Sequence, residues 1–262
     1  DDSETNFVSK NAGIPPVKVS EENFELNQSS NRISDLTQGA FDLTYGSIDK
    51  RLWNFDQNMT ELPDRDTAKD MVRLINYKNI ILNAENCTVF LREEGLRIGF
   101  GGIGKGYAAE RAKKLMREAG AESGVVNASG DLTTWGLQPD GNQWTIAIAN
   151  PNAKSEAFSY MNISNMAVAT SGNYEKYIVI GNKKYSHTIN PKTGLPITGI
   201  KSVTIISPNA EIADAMATQV TIMGIDPGLY MINQMKNIEA VIIDDDDNLY
   251  TSKNINLKIP LL

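Results

Sequence analysis

The stretch "GFGGIGKGYAAERAKKLMREAG", residues 99–120, joins a glycine-rich turn to a helix and contains parts of two nucleotide-binding signatures. Gly99, Gly101 and Gly104 match G-x-G-x-x-G, the dinucleotide fingerprint, while Gly99, Gly104 and Lys105 match most of a P-loop. In both motifs glycines let the backbone approach a phosphate, and the following helix offers unpaired N–H groups and the positive end of its dipole. The stretch predicts either a site for an anionic ligand or a tight turn without a ligand.

The residues around this stretch fit neither signature. A P-loop requires Ser or Thr after the lysine, where this chain has Gly106. The segment "EAVIIDDDD" would place Asp244 as in a Walker B strand, but "DDDDN" followed by "LYTS" favours an acidic turn between two strands of a hairpin. The dinucleotide fingerprint requires a parallel βαβ unit, whereas "CTVFLREEGLRI" predicts an antiparallel hairpin that turns at Glu94–Gly95.

Composition limits the classes of protein to consider. The chain has 262 residues, of which 41% are hydrophobic, enough for a sizeable core. Its net charge of −7 argues against a nucleic-acid surface, because phosphate neutralisation needs clustered Lys and Arg. No run of 18 apolar residues is present, so no membrane span is predicted. Cys87 is the sole cysteine, which excludes an intrachain disulfide and a Cys-rich metal site.

The order of predicted elements favours an α+β fold with mixed, largely antiparallel sheets and packed helices, since strands and helices do not alternate regularly. Residues 1–19 are predicted to be a loop, and the helix after Gly106 carries an apolar stripe of Ala108, Ala112, Leu115 and Ala119. Further elements are predicted as helices over 20–37 with Ser20 as N-cap, over 67–76 and over 209–223, and as a hairpin at Gly181–Asn182.

Three segments carry polar side chains that are candidates for metal binding or catalysis. Asp214 and Thr218 lie on one helix face, where a carboxylate and a hydroxyl can supply hard oxygen ligands to Mg²⁺. His187, the sole histidine, precedes a Pro/Gly turn at 190–194, and rigid turns often hold functional side chains. The segment 125–131, "VVNASGD", is compatible with ordinary turn chemistry. The alternative for Asp214 and Thr218 is an ordinary pair on a helix surface. The alternative for His187 is a structural role.

Six motifs together carry a family resemblance. In order, "GAFDLT", "GGIGKGYAAE", "NASGD", "ATSGNY", "YSHTINPKTGLP" and "SPNAEIADAMAT" resemble the ApbE-like family, the FAD:protein FMN transferases, over residues 2 to about 252. The resemblance implies an enzyme that binds FAD and Mg²⁺, moves FMN onto a Ser or Thr of a target protein and releases AMP. It also implies a single domain over 1–262 that lacks the N-terminal strand and helix of the family.

The resemblance assigns roles to individual residues. It implies the Gly102 carbonyl, Asp214 and Thr218 as Mg²⁺ ligands. His187 and Asp214 become the candidate catalytic residues, and the sequence leaves open whether the histidine or a carboxylate is the base that accepts the proton of the target hydroxyl. The residues expected to contact FAD are Ala40, Phe41, Asp42, Lys105 and Thr188.

Three positions depart from the family pattern. Gly99 stands where the family usually has an Asp that helps hold FAD, Ser129 where a Gly is common, and Ala217 where some members have a second acidic residue. Two alternatives stay open: an Mg²⁺-dependent FAD hydrolase on the same scaffold that gives FMN and AMP, and a flavin-binding protein without catalysis, which the departure at Gly99 favours.

The expected partners and location come from the resemblance alone. The partners are FAD and a target protein, expected to be a membrane redox subunit, that carries a Ser/Thr flavinylation motif similar to Asp-Gly-x-Ser/Thr-Gly-Ala-Ser/Thr. No such motif occurs in this chain, so self-modification is not expected. The expected location is the cell envelope, on the outer face of the cytoplasmic membrane or in the periplasm, as a lipoprotein anchored through a segment upstream of Asp1.

Overall fold

The computed structural model describes residues 3–49, 59–173 and 177–255, with the backbone alone for 153–156. The chain divides into two compact units: unit 1 comprises Asp1–Phe100 and Ile178–Ile197, and unit 2 comprises Gly101–Tyr177 and Thr198–Leu262. The single family domain over 1–262 stays a prediction. In the described ranges, no helix is both long and apolar enough to cross a membrane.

Helices and strands follow one another irregularly along the chain. The helices are α1 (Glu4–Lys10), α2 (Glu21–Leu36), α3 (Arg65–Met71), α4 (Gly104–Glu118), α5 (Ala210–Met223) and α6 (Ile225–Ile232), with 3₁₀ helices at Leu43–Ser47 and Tyr77–Asn79. The strands are β1 (Val17–Lys18), β2 (Ile80–Asn83), β3 (Thr88–Leu91), β4 (Gly124–Ala128), β5 (Asp131–Trp135), β6 (Trp144–Asn150), β7 (Ala153–Ile163), β8 (Ala167–Gly172), β9 (Tyr177–Ile180), β10 (Lys183–Ser186), β11 (Ile200–Ser207), β12 (Glu239–Asp244) and β13 (Leu249–Thr251).

The sheets are antiparallel, which confirms the predicted fold class. Unit 2 contains a six-stranded sheet in the order β13-β12-β11-β8-β5-β4 and the separate hairpin β6-β7. Unit 1 contains the three-stranded sheet β1-β3-β2, helices α1 to α3, and the β9–β10 hairpin from Ile178 onward. That hairpin turns at Gly181–Asn182, as the sequence predicts.

Strand alternation separates the two faces of the large sheet. Side chains of Leu132, Val168 and Ile206 share one face and pack with apolar side chains of β6 and β7. The neighbouring residue Ala167 must point to the opposite face, where it packs with Ala109 of α4 and with Ala210, the first residue of α5. The sheet of unit 2 therefore lies between a β-hairpin and a helical layer, and small residues allow the helices to approach closely.

Capping side chains explain where several helices begin. Ser20 accepts a hydrogen bond from the Asn23 N–H at 3.2 Å, and Asn209 accepts one from the Ile212 N–H at 3.0 Å, so both predicted N-termini are confirmed. Asp64 caps α3, which therefore spans Arg65–Met71 and not 67–76.

Three local predictions are wrong. Residues 1–19 contain α1, capped by Ser3, and the short strand β1. Glu94–Gly95 forms a turn outside the sheet, because β3 pairs with β1 and β2, so no strand leads directly into the glycines. The predicted apolar stripe of α4 faces largely outward: Leu115 is 51% exposed, while Gly106 and Ala109 are buried.

Gly106 is buried where α4 meets α5. A Cβ atom built on Gly106 would lie 2.1 Å from the Ala210 carbonyl oxygen and 2.9 Å from the Asp214 Cβ. Both distances are far below van der Waals contact, and one of the opposing atoms belongs to the backbone. Only glycine allows this approach of the two helices.

We therefore expect Gly106→Ala to lower the free energy of unfolding by about 2 kcal/mol or more, because overpacking outweighs the helix propensity that alanine gains. Urea denaturation measures the change. Gly101→Ala is the matched control, since no atom lies within 4 Å of its added Cβ. Equal stability of the two variants would contradict the close contact.

Candidate active site

The N-terminus of α4 is capped by a side chain from α5. Its N-cap residue, Ile103, makes no side-chain capping hydrogen bond. Instead the N–H of Gly106, the third residue of the helix, donates to Asp214 Oδ2 at 3.0 Å. A carboxylate at this position satisfies an otherwise unpaired N–H and interacts favourably with the helix dipole. The anion beside the glycine-rich turn is thus the protein's own Asp214.

Lys105 joins this carboxylate to a second one. Its Nζ lies 2.6 Å from Asp131 Oδ2 and 3.9 Å from Asp214 Oδ1. Asp131 is 1% exposed, and its Oδ1 accepts a hydrogen bond from the Thr170 N–H at 3.3 Å. The Lys105 side chain remains 42% exposed, so part of it is accessible to a ligand.

Asp131 is absent from the sequence-based set of site residues. The sequence leaves both Asn127 and Asp131 compatible with turn chemistry, and the structure shows such a turn contact for Asn127, whose Oδ1 accepts a hydrogen bond from the Gly130 N–H at 2.8 Å. In the structure Asp131 opens β5, "DLTTW", in which every residue is buried, and this burial is not visible in the sequence. An acidic residue at a buried strand position needs a charged or hydrogen-bonding partner, here Lys105.

The site carries more negative than positive charge. Burial and the neighbouring Asp131 carboxylate raise the pKa of Asp214 to about 6, against the lowering effects of the Gly106 N–H and Lys105. Among the described residues, Lys105 is the cation paired with these two buried carboxylates. A divalent cation would relieve the remaining repulsion, so the electrostatics fit a metal ion.

The available donors also fit Mg²⁺, which prefers hard oxygen ligands. Asp214 and Thr218 lie four residues apart on α5, and Gly102 lies in the turn before α4. Within the described ranges, no group of three or more His, Cys, Asp or Glu side chains could hold a metal. Coordination of Mg²⁺ by Asp214, the Thr218 hydroxyl and the Gly102 carbonyl stays a prediction.

In unit 1, the side chains of residues 40–42 take part in core packing or in hydrogen bonds within the protein. Ala40 and Phe41 are core side chains. Asp42 Oδ1 accepts hydrogen bonds from the N–H and hydroxyl of Thr44 at 2.8 and 2.6 Å, and its Oδ2 accepts one from the Tyr77 N–H at 2.9 Å. Burial raises the pKa of Asp42 despite these bonds. Contact of these three residues with FAD stays a prediction.

His187 and Thr188 follow β10 in unit 1. His187 is exposed, whereas Thr188 is buried and its N–H donates to Ser186 Oγ at 2.9 Å. The turn that follows is held against α3: Gly194 has a φ of +70°, and a Cβ there would lie 1.8 Å from the Ala68 carbonyl oxygen. The histidine therefore projects from a well-anchored backbone. Its catalytic role and the FAD contact of Thr188 stay predictions.

Removal of the Lys105 charge should raise the pKa of Asp214 further above 6, because the ammonium stabilises the ionised carboxylate. We expect Lys105→Met to show this in ¹³C NMR titration of the aspartate carboxyl groups in EDTA. Lys114→Met removes the same charge from the exposed side of α4 and should leave the titration unchanged. An unaltered Asp214 titration in Lys105→Met would contradict the described ion pair.

Comparison with known proteins places these features in a family. The ApbE family model matches residues 1–242. An FAD:protein FMN transferase of Klebsiella pneumoniae is 29% identical over 259 residues, covering 98% of this chain and 80% of that protein. One of Escherichia coli is 28% identical over 244 residues, covering 91% of this chain and 69% of that protein.

Solved structures agree with the sequence relatives. The ApbE protein of Thermotoga maritima matches with a TM-score of 0.85 and 30% identity, covering 96% of this chain and 82% of that one. The apo flavinyl transferase ApbE of Pseudomonas stutzeri matches with a TM-score of 0.81 and 25% identity, covering 96% and 78%. The family resemblance read from the six motifs is confirmed, and the chain belongs to the ApbE family.

Proposed function

We propose that this protein is an FAD:protein FMN transferase that moves FMN from FAD to a Ser or Thr hydroxyl of a target protein and releases AMP. The names of its relatives support an enzyme of this kind. The observation in this chain that carries the proposal is the contact of Lys105 and the α4 N-terminus with the buried carboxylates of Asp131 and Asp214. It provides cationic groups and metal ligands for a substrate whose reacting bond joins two phosphates.

Mg²⁺ would be held by Asp214, the Thr218 hydroxyl and the Gly102 carbonyl. When bound, the ion supplies positive charge that neutralises phosphate oxygens and orients them for displacement. Lys105 adds a second positive charge, and Asp131 keeps that ammonium in place at 2.6 Å. These residues bind and orient the pyrophosphate part of FAD.

The transfer is a displacement at phosphorus. The target hydroxyl oxygen forms a bond to the phosphorus of the FMN half, the bond from that phosphorus to the bridging oxygen breaks, and AMP leaves with the electron pair. The hydroxyl proton passes to a base. We assign this role to His187, which is exposed to an incoming protein, whereas Asp214 is 4% exposed and already accepts the Gly106 N–H.

The family resemblance also supports a target in the cell envelope. We propose a membrane redox subunit as the FMN acceptor and an envelope location, with lipid anchoring, for this protein. Fractionation of cells that produce the protein tests the location: we expect it in the envelope fraction, and its recovery in the cytoplasmic fraction would contradict the proposal.

The function is tested by incubation with FAD and Mg²⁺, with and without a target domain that carries the flavinylation motif. We expect AMP and a fluorescent flavin-labelled target only when both proteins are present. The matched control is the same domain with the acceptor Ser or Thr replaced by Ala. AMP without a target would show an FAD hydrolase instead, and FAD binding without AMP would show a non-catalytic flavin-binding protein.

His187→Asn should keep FAD affinity and melting temperature but slow transfer by roughly 10²- to 10⁴-fold, the usual effect of removing a general base. The asparagine retains a hydrogen-bonding shape but cannot accept a proton near neutral pH. Turnover, FAD affinity and melting temperature are measured on the same preparation. A stable variant with normal turnover would end the assignment of His187 as the base.

A further inference from the structure

Tyr45 connects a 3₁₀ helix to the backbone that follows His187. Its Oη accepts a hydrogen bond from the Ile189 N–H at 2.9 Å. Its ring packs against an apolar cluster of unit 1 that includes Ile48, Met71 and Ile189. The Tyr45 side chain therefore meets both the Ile189 backbone N–H and the apolar cluster to which Ile189 belongs.

The Ile189 N–H needs an acceptor from outside its own hairpin. Ile189 pairs with Pro196, flanked by hydrogen bonds from Ile197 N to Thr188 O at 3.0 Å and from Asn190 N to Leu195 O at 2.9 Å. Residues between two such bonds in an antiparallel pair direct their N–H groups away from the opposite strand. The Ile189 N–H points away accordingly, and Tyr45 supplies its acceptor.

The helix that carries Tyr45 is itself fixed. Asp42 caps it through Thr44 and also accepts the Tyr77 N–H, as described above. Thr44 Oγ1 in addition accepts a hydrogen bond from the Asn76 N–H at 2.8 Å. Tyr45 therefore projects from a short helix with several tertiary anchors, and its hydroxyl is a fixed point for the 187–189 segment.

Tyr45 anchors the backbone just after His187. The neighbours Ser186 and Thr188 are both buried, so the backbone that carries the imidazole is held on either side. Ser186 N–H donates to the Ile197 carbonyl at 2.9 Å on one side, and Ile189 N–H donates to Tyr45 on the other.

We propose that Tyr45 is a positioning residue that, through the Ile189 N–H, fixes the backbone from which His187 and Thr188 project. The inference rests on the proposed function, in which His187 accepts the proton of the target hydroxyl. It also connects the 40–42 stretch to the histidine segment within unit 1, since Asp42 caps the helix that carries Tyr45.

The first test is Tyr45→Phe, which keeps the ring and removes the acceptor. We expect kcat for FMN transfer to fall about 10-fold with little change in the KM for FAD, because small misplacement of a catalytic group lowers kcat. Tyr185→Phe is the matched control: it removes a phenol hydroxyl from a ring that packs on the same cluster. Equal activity of the two variants would overturn the proposal.

A double-mutant cycle shows whether Tyr45 acts through His187. In the His187→Asn background, Tyr45→Phe should cause no further loss of transfer, because the group that it positions has been removed. Independent, multiplying losses would show that Tyr45 acts elsewhere and would overturn the proposal.

NMR of the imidazole gives a readout that does not require transfer. His187 is the only histidine, so its ring signals need no assignment. Tyr45→Phe should shift and broaden them, and Tyr185→Phe should leave them in place. If these changes occur in a protein that transfers no FMN, the positioning role stands and the proposed function fails. If wild-type transfer is robust and the signals do not change in Tyr45→Phe, the positioning role fails.

Discussion

The contact between α4 and α5 at Gly106 controls the geometry of the charged site in unit 2. The absence of a side chain at this position lets the α4 backbone reach Asp214, whose carboxylate accepts the Gly106 N–H. Lys105 is the adjacent residue, so the same contact brings its ammonium to Asp131 and Asp214. The contact continues through Ala109 and Ala210, which share a buried cluster with Ala167 of the sheet. Small side chains at this helix crossing thus position three charged groups.

Such a cluster is costly to bury, and a functional role explains it better than stability does. Two carboxylates and one lysine leave excess negative charge, which together with burial raises the pKa of Asp214 to about 6. Buried ion pairs of this kind often contribute little net stability, and perturbed pKa values concentrate at functional sites. The glycine-rich turn resembles two phosphate-binding motifs because it shares their physics: a helix N-terminus beside a lysine. Here the first anion bound is the Asp214 side chain of the protein.

Features governed by local chemistry could be predicted from the sequence, while those set by tertiary contacts could not. The caps at Ser20 and Asn209, the hairpin at Gly181–Asn182 and the shared face of Asp214 and Thr218 follow from residue type and spacing. The inward face of α4 was mispredicted because close approach, and not apolarity, buries Gly106. Asp131 and Tyr45 were missed as site residues because their partners lie far away in the sequence and meet them only in the folded units.

The most direct test of the central claim is anomalous X-ray diffraction from crystals soaked in Mn²⁺, a close substitute for Mg²⁺ with a strong anomalous signal. The proposed Mg²⁺ site predicts a peak at coordination distance from the Asp214 carboxylate, with the Thr218 hydroxyl and the Gly102 carbonyl as further ligands. The peak should vanish in crystals of Asp214→Asn soaked in the same way. A strong peak elsewhere, for example at the acidic turn 244–247, with none beside Asp214, would contradict the account.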